Sequence, residues 1–133
     1  MRIDHVNIAT PDAAASARAF EELFGLEVAR RVTVADQGVN VVKLAVGDAF
    51  IVSPDPTGPD PPTGKYLAKN RPGLHHLCLR VPDLRAAVAR LKERGALLIN
   101  EEPTLGAAGL PVVFVHPKSC SGVLVELVEE AQG

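Results

Sequence analysis

The sequence predicts an α+β fold made of two βαβββ modules whose strands form a curved, cupped mixed sheet with the helices on its outer face. Three observations carry this. The phrase Asp4-His5-Val6-Asn7-Ile8-Ala9-Thr10-Pro11-Asp12 returns as His75-His76-Leu77-Cys78-Leu79-Arg80-Val81-Pro82-Asp83. Each copy leads into an alanine-rich segment that ends on a glycine, Gly25 or Gly95. Three strand-like runs follow each glycine, so one small unit is written twice.

Residues 2–10 alternate, with Val6 and Ile8 on one face and Ile3, His5 and Asn7 on the other, the period of a strand with two different sides. Residues 75–81 do the same: Leu77, Leu79 and Val81 share one face, and His76, Cys78 and Arg80 share the other. Both histidines therefore point away from the more apolar side. Asp12 and Asp83, each after a proline, are placed to cap a helix by accepting from free backbone N–H groups of its first turn. The first helix carries Ala13, Ala17, Phe20 and Phe24 at helical spacing, the second Leu84, Val88 and Leu91, and Gly25 and Gly95 suit a left-handed stop. Strands are expected over 27–34, 39–46 and 48–53 in the first copy, and over 96–101, 111–116 and 122–128 in the second.

The expected organisation is one domain over 1–133, with repeats 1–53 and 74–130 joined by a connector, 54–73. Pro54, Pro56, Pro59, Pro61, Pro62 and Pro72 fill that connector; they argue against regular strand and leave room for a short helix near Lys65–Asn70. The connector is a candidate lid or a plain linker.

Composition narrows the function. The chain is 47% hydrophobic, with a formal net charge of −2 and both signs scattered, which gives no electrostatic footprint for nucleic acid or an anionic membrane. No run approaches the apolar length of a membrane-spanning helix. The strand pattern begins at Met1-Arg2-Ile3, without a signal-peptide core, and Cys78 and Cys120 have no metal-type spacing, so the expected setting is reducing and cytoplasmic.

On the face away from the helices the repeat places His5 and His76 at the same structural position. Glu126 lies in Val123-Leu124-Val125-Glu126-Leu127-Val128, where a buried carboxylate is costly unless paired. A divalent ion held by His5, His76 and Glu126 would offset that cost, and two histidines with one carboxylate suit a first-row metal with open positions for substrate. Cys78 is read as a small lining residue beside His76. His75, on the opposite face, is read as structural, and His116 as either a substrate contact or a turn-stabilising residue.

These residues carry a resemblance to the vicinal-oxygen-chelate superfamily (glyoxalase, bleomycin-resistance and dioxygenase proteins), closest to its methylmalonyl-CoA epimerase family. It runs through Asp4-His5-Val6, Asp36-Gln37-Gly38-Val39, Gly58-Pro59-Asp60, Leu67-Ala68-Lys69-Asn70, Gly73-Leu74-His75-His76 and Glu101-Glu102-Pro103. The most specific stretch is His116-Pro117-Lys118-Ser119-Cys120-Ser121-Gly122-Val123-Leu124-Val125-Glu126-Leu127. The resemblance implies an isomerase that epimerises methylmalonyl-CoA, or a similar acyl-CoA, at C2 through a metal-stabilised enolate. It implies a divalent ion at His5, His76 and Glu126, Co2+ first, or Mn2+, Zn2+, Ni2+ or Fe2+. Asp36 and Glu126 fall at the family's proton-exchanging positions, and Lys69 and Lys118 are candidates for the phosphates of coenzyme A. A homodimer is implied as well.

Two positions depart from the family's pattern. Val52 stands where a fourth ligand, Gln or Glu, is usual, so that Ser53 or Asp55 could serve only after a strand shift. Asp36 stands where Glu is usual, one methylene shorter. Two further readings remain open within the same fold: a three-ligand oxygenase of the extradiol dioxygenase type, and a binding protein of the antibiotic-sequestering kind that uses neither metal nor catalysis.

Overall fold

The computed structural model describes residues 1–35, 38–57, 62–106 and 109–130, the side chains at 62 and 63 excepted. The chain divides into two compact units, residues 5–75 and residues 1–4 with 76–133.

The unit of residues 5–75 contains strand β1 (Arg2–Ala9, from His5 on), helix α1 (Ala13–Phe24), strands β2 (Glu27–Val34), β3 (Val39–Val46) and β4 (Ala49–Pro56), and helix α2 (Pro62–Lys69). Its strands lie in the order β2-β3-β4-β1, with β4 antiparallel to β3 and parallel to β1. Helix α1 starts where expected, because the Asp12 carboxylate accepts from the Ala15 N–H at 3.0 Å, and it stops at Gly25 with φ +70. Ala13 and Ala17 pack on Val42 and Leu44, with Phe20, Leu26, Val28 and Ile51 around them. Fully burying a valine or leucine side chain contributes about 1.5–3 kcal/mol, and alanines on the facing helix let it sit close to the sheet. Phe24 departs from the expected pattern: it is 67% exposed, with its ring beside that of Phe20, one turn back.

Strand β4 runs through Pro54 and Pro56, beyond the expected end at Ser53. The ladder explains why the prolines are tolerated. Val39 opposes Pro56, and the next residue, Thr57, donates its N–H to the Gly38 carbonyl at 2.8 Å. By alternation the N–H groups of 53, 55 and 57 point to β3, while positions 54 and 56 point away from it and lose no bond to that strand.

The other unit holds residues 2–4 of β1, strand β5 (Gly73–Val81, from His76 on), helix α3 (Leu84–Glu93) and strands β6 (Thr104–Leu105), β7 (Pro111–Val115) and β8 (Val125–Glu129). The order is β5-β8-β7-β6, with β5 and β8 parallel and the rest antiparallel. Asp83 caps α3 through the Ala86 N–H at 3.1 Å, and Gly95, at φ +77, follows its last turn. Leu84 and Val88 join Val81, Val113, Val115, Val125 and Leu127 in one core under the helix. The face away from α3 carries a smaller cluster of Cys78, Val112 and Val128, with Phe114 packed against it. The expected split of β5 into a Leu-Leu-Val face and a His-Cys-Arg face is what the packing displays.

The strand expected over 96–101 is not regular. That segment makes one bridge, Leu98 to Val115, and the short strand lies later, at Thr104–Leu105. Asn100 is the reason. Its side-chain amide donates to the Glu102 and Val112 carbonyls, at 3.0 and 3.1 Å, and accepts from the Phe114 N–H at 2.8 Å, standing in for a backbone ladder. Pro103, without an N–H, ends any continuation. Strand β8 likewise begins at Val125 rather than at residue 122, because Pro117–Ser119 forms a 3-10 turn closed by Gly122 N–H to Pro117 O at 2.8 Å, and Ser121 and Gly122 both take positive φ.

Candidate metal centre and its surroundings

Parallel pairing of β5 with β8 sets Cys78 opposite Glu126, and antiparallel pairing of β8 with β7 sets Glu126 opposite Phe114. The three side chains therefore share the face away from α3, with His76 two positions before Cys78 on the same strand face. His76 Nε2 lies 3.1 Å from Glu126 Oε1, and the His76 ring meets Phe114 edge-on at 5.8 Å. Glu126 is 8% exposed, among Cys78, Phe114, Val112 and Val128.

Cys78 is 1% exposed. Burial pushes its thiol far above the usual range, the carboxylates of Glu126 and Asp4 add to the shift, and its S–H hydrogen-bonds to Glu126. It is a neutral donor toward Glu126, on the strand face it shares with His76. Arg80, two residues on, turns to Asp4: its Nε donates to Asp4 Oδ1 at 2.9 Å and its Nη2 to the same oxygen. This pair was not foreseen from the sequence.

The donor set fits a divalent ion. An imidazole nitrogen and a carboxylate oxygen converge in a largely apolar setting, where a cation would offset the buried negative charge. Gly106 preserves space beside them, since a Cβ there would stand 3.0 Å from Val112 Cγ1 and 3.6 Å from Glu126 Oε2. Neither Asn100 nor Gly106 was singled out in the sequence, because a glycine in a loop and an asparagine before two glutamates carry no periodic signal.

In the unit of residues 5–75, His5 pairs with Phe50 and Asn7 with Val52 across the parallel β1–β4 ladder. Val52 thus has the relation to Asn7 that Glu126 has to Cys78. Ser53 and Asp55, the two conceivable substitutes for a fourth ligand, are engaged by α1. The Ser53 hydroxyl lies 3.3 Å from that of Ser16, and Asp55 accepts from the Ala13 N–H at 2.7 Å and from Asn40 Nδ2 at 2.9 Å. No strand shift delivers them to the other face.

The remaining expected residues lie as follows. Asp36 falls outside the described residues. Lys69 is exposed in the last turn of α2, and Lys118 is exposed in the 3-10 turn. His116 caps that turn, its Nδ1 accepting from the Lys118 N–H at 3.0 Å, which favours the turn-stabilising reading. His75 packs edge-on against Tyr66 of α2 with centroids 4.6 Å apart, a structural contact as expected. Among the described residues, no helix is long and apolar enough to cross a membrane.

Residues 4–114 match the Glyoxalase/Bleomycin resistance protein/Dioxygenase superfamily. The chain is 40% identical to the mitochondrial methylmalonyl-CoA epimerase of Homo sapiens, over 95% of this chain and 72% of that protein. It is 41% identical to the ethylmalonyl-CoA/methylmalonyl-CoA epimerase of Cereibacter sphaeroides, over 95% of this chain and 96% of that one. Among solved structures, a methylmalonyl-CoA epimerase in complex with methylmalonyl-CoA and NH4+ superposes with a TM-score of 0.84 at 35% identity, covering 98% of this chain and 94% of its own. The chain therefore belongs to the Glyoxalase/Bleomycin resistance protein/Dioxygenase superfamily and is an isomerase of the methylmalonyl-CoA epimerase type.

Proposed function

We propose that the protein epimerises methylmalonyl-CoA, or a closely similar acyl-CoA, at C2, and that it does so with a divalent metal held by His5, His76 and Glu126. The single observation that carries the metal reading is the pairing of the partly buried His76 with the buried Glu126, 3.1 Å apart in a largely apolar setting. The likeness to relatives named for this activity supports the substrate class. His5 is assigned as the third ligand because it stands in the first copy of the repeat where His76 stands in the second.

When bound, the metal would act as a Lewis acid for the thioester oxygen and so lower the cost of the enolate formed on proton loss. The chain's own residues supply the rest. Asp36 and Glu126 would exchange the C2 proton on opposite faces of the enolate. The apolar side chains of Val112, Val128 and Phe114 keep water from the site, and the Cys78 thiol restrains the Glu126 carboxylate. Lys69 and Lys118 meet phosphates of coenzyme A. The metal is Co2+ or another of Mn2+, Zn2+, Ni2+ and Fe2+, and the reading includes a homodimer in a cytoplasmic, reducing setting, consistent with the free thiols of Cys78 and Cys120.

The test is exchange of the C2 proton of methylmalonyl-CoA in heavy water by metal-reconstituted protein. Exchange well above background is expected. Metal-loaded protein that shows no such exchange would overturn the reading.

A further inference from the structure

Each unit presents, on its face away from the longer helix, a row of three side chains running across three paired strands. In one unit the row is Cys78, Glu126 and Phe114. In the other, built on the same parallel and antiparallel ladders, it is Asn7, Val52 and Lys43. Where the first row has a carboxylate with an aromatic ring outside it, the second has a valine with an ammonium outside it. The two rows differ by two units of charge at equivalent stations.

Lys43 is an unusual occupant of its strand. Val39-Asn40-Val41-Val42-Lys43-Leu44-Ala45-Val46 is otherwise largely apolar, and Lys43 is only partly exposed. Its ammonium lies 4.2 Å from the centroid of the Phe50 ring, the ring of the residue paired with His5. A cation over an aromatic face is held down against the sheet rather than released into water. Among the described residues no carboxylate lies in ion-pair range of it, so its charge is available to a ligand.

We propose that Lys43 is a specificity-determining residue that receives the free carboxylate of a malonyl-type acyl thioester, resting on the acyl-CoA reading above. A carboxylate at position 52 would neutralise this lysine and repel that group; valine leaves the ammonium to the ligand. The predicted preference is for acyl-CoAs that carry a carboxylate on the acyl chain over acyl-CoAs that lack one.

The test compares malonyl-CoA with propionyl-CoA, which lacks the carboxylate, by calorimetry on metal-loaded wild type, Lys43→Met and Lys43→Arg. Methionine keeps the apolar stem without the charge. Wild type is expected to bind malonyl-CoA more tightly, Lys43→Met to lose about tenfold or more of that affinity while keeping its propionyl-CoA affinity and metal content, and Lys43→Arg to retain the preference. Lys43→Met binding both thioesters as wild type does, or wild type showing no preference, would overturn the proposal. Should Lys43→Met fail to fold, binding by Lys43→Gln decides it by the same comparison. Absence of C2 exchange in wild type that still prefers malonyl-CoA would instead count against the epimerase reading alone.

Discussion

Val52 stands to Asn7 as Glu126 stands to Cys78: each is the directly paired residue on the parallel neighbour of a repeat's first strand. The repeat has kept the geometry and changed the donor. On the proposed metal reading, Val52→Gln should therefore add an amide oxygen at the position equivalent to Glu126, and metal affinity, read by competition with a chelator, should tighten about tenfold. Val52→Leu, equally apolar, should leave it unchanged. Equal affinity in Val52→Gln and wild type would mean that position 52 does not face the ion.

The thiol of Cys78 is buried, and its pKa is raised first by that burial and then by the neighbouring carboxylates. In metal-free protein at pH 8, iodoacetamide should modify the partly exposed Cys120 and spare Cys78 until the chain is unfolded, because the thiolate is the reacting form. The linkage has a definite sign. A thiol raised by folding leaves stability unaffected below its unfolded value of about 8.5 and costs stability progressively above it. Denaturation midpoints of wild type should fall more steeply above that pH than those of Cys78→Ala. Equal slopes would show that the thiol ionises normally in the fold.

Arg80 and Asp4 form a partly buried ion pair two residues from Cys78, with side chains 19% and 20% exposed. Arg80→Met should destabilise by about 2 kcal/mol in urea unfolding, below the loss for a fully buried pair because water reaches both groups. Adding Asp4→Asn to Arg80→Met should recover part of that loss, since the carboxylate no longer lacks its cation. Strict additivity of the two changes would sever the proposed coupling.

Much of this architecture is legible in the sequence, for identifiable reasons. Asp12 and Asp83 announce helix starts through their own carboxylates, and the alternation of Leu77, Leu79 and Val81 against His76, Cys78 and Arg80 fixes the facing of β5 because the side-chain period of a strand is two. Glu126 was legible as a carboxylate in an apolar run. What escaped depends on partners distant in sequence. Pro54 and Pro56 look like strand breakers until the ladder reveals that their nitrogens face away from β3. Asn100 looks like a loop residue, yet its amide replaces a strand's backbone bonds. Lys43 looks like a solvated lysine until the register sets it beside Val52 and over Phe50.

Gly106 offers the sharpest separation of site from fold. No positive φ demands glycine there, so the argument rests on space alone: an added Cβ would come 3.0 Å from Val112 Cγ1 and 3.6 Å from Glu126 Oε2. The first contact requires Val112 to yield by a few tenths of an ångström, a modest strain of about 1 kcal/mol. The second is an ordinary van der Waals contact, but it fills space beside the carboxylate proposed to hold the metal. Gly106→Ala should thus unfold close to wild type in the metal-free state and lose much of the stabilisation that added metal confers, since a ligand stabilises only in proportion to its affinity for the folded chain. Thermal unfolding with and without Co2+ checks both halves. A metal-induced shift equal to that of wild type would place the ion away from Glu126, whereas a large loss in the metal-free state would mean that the glycine serves packing alone.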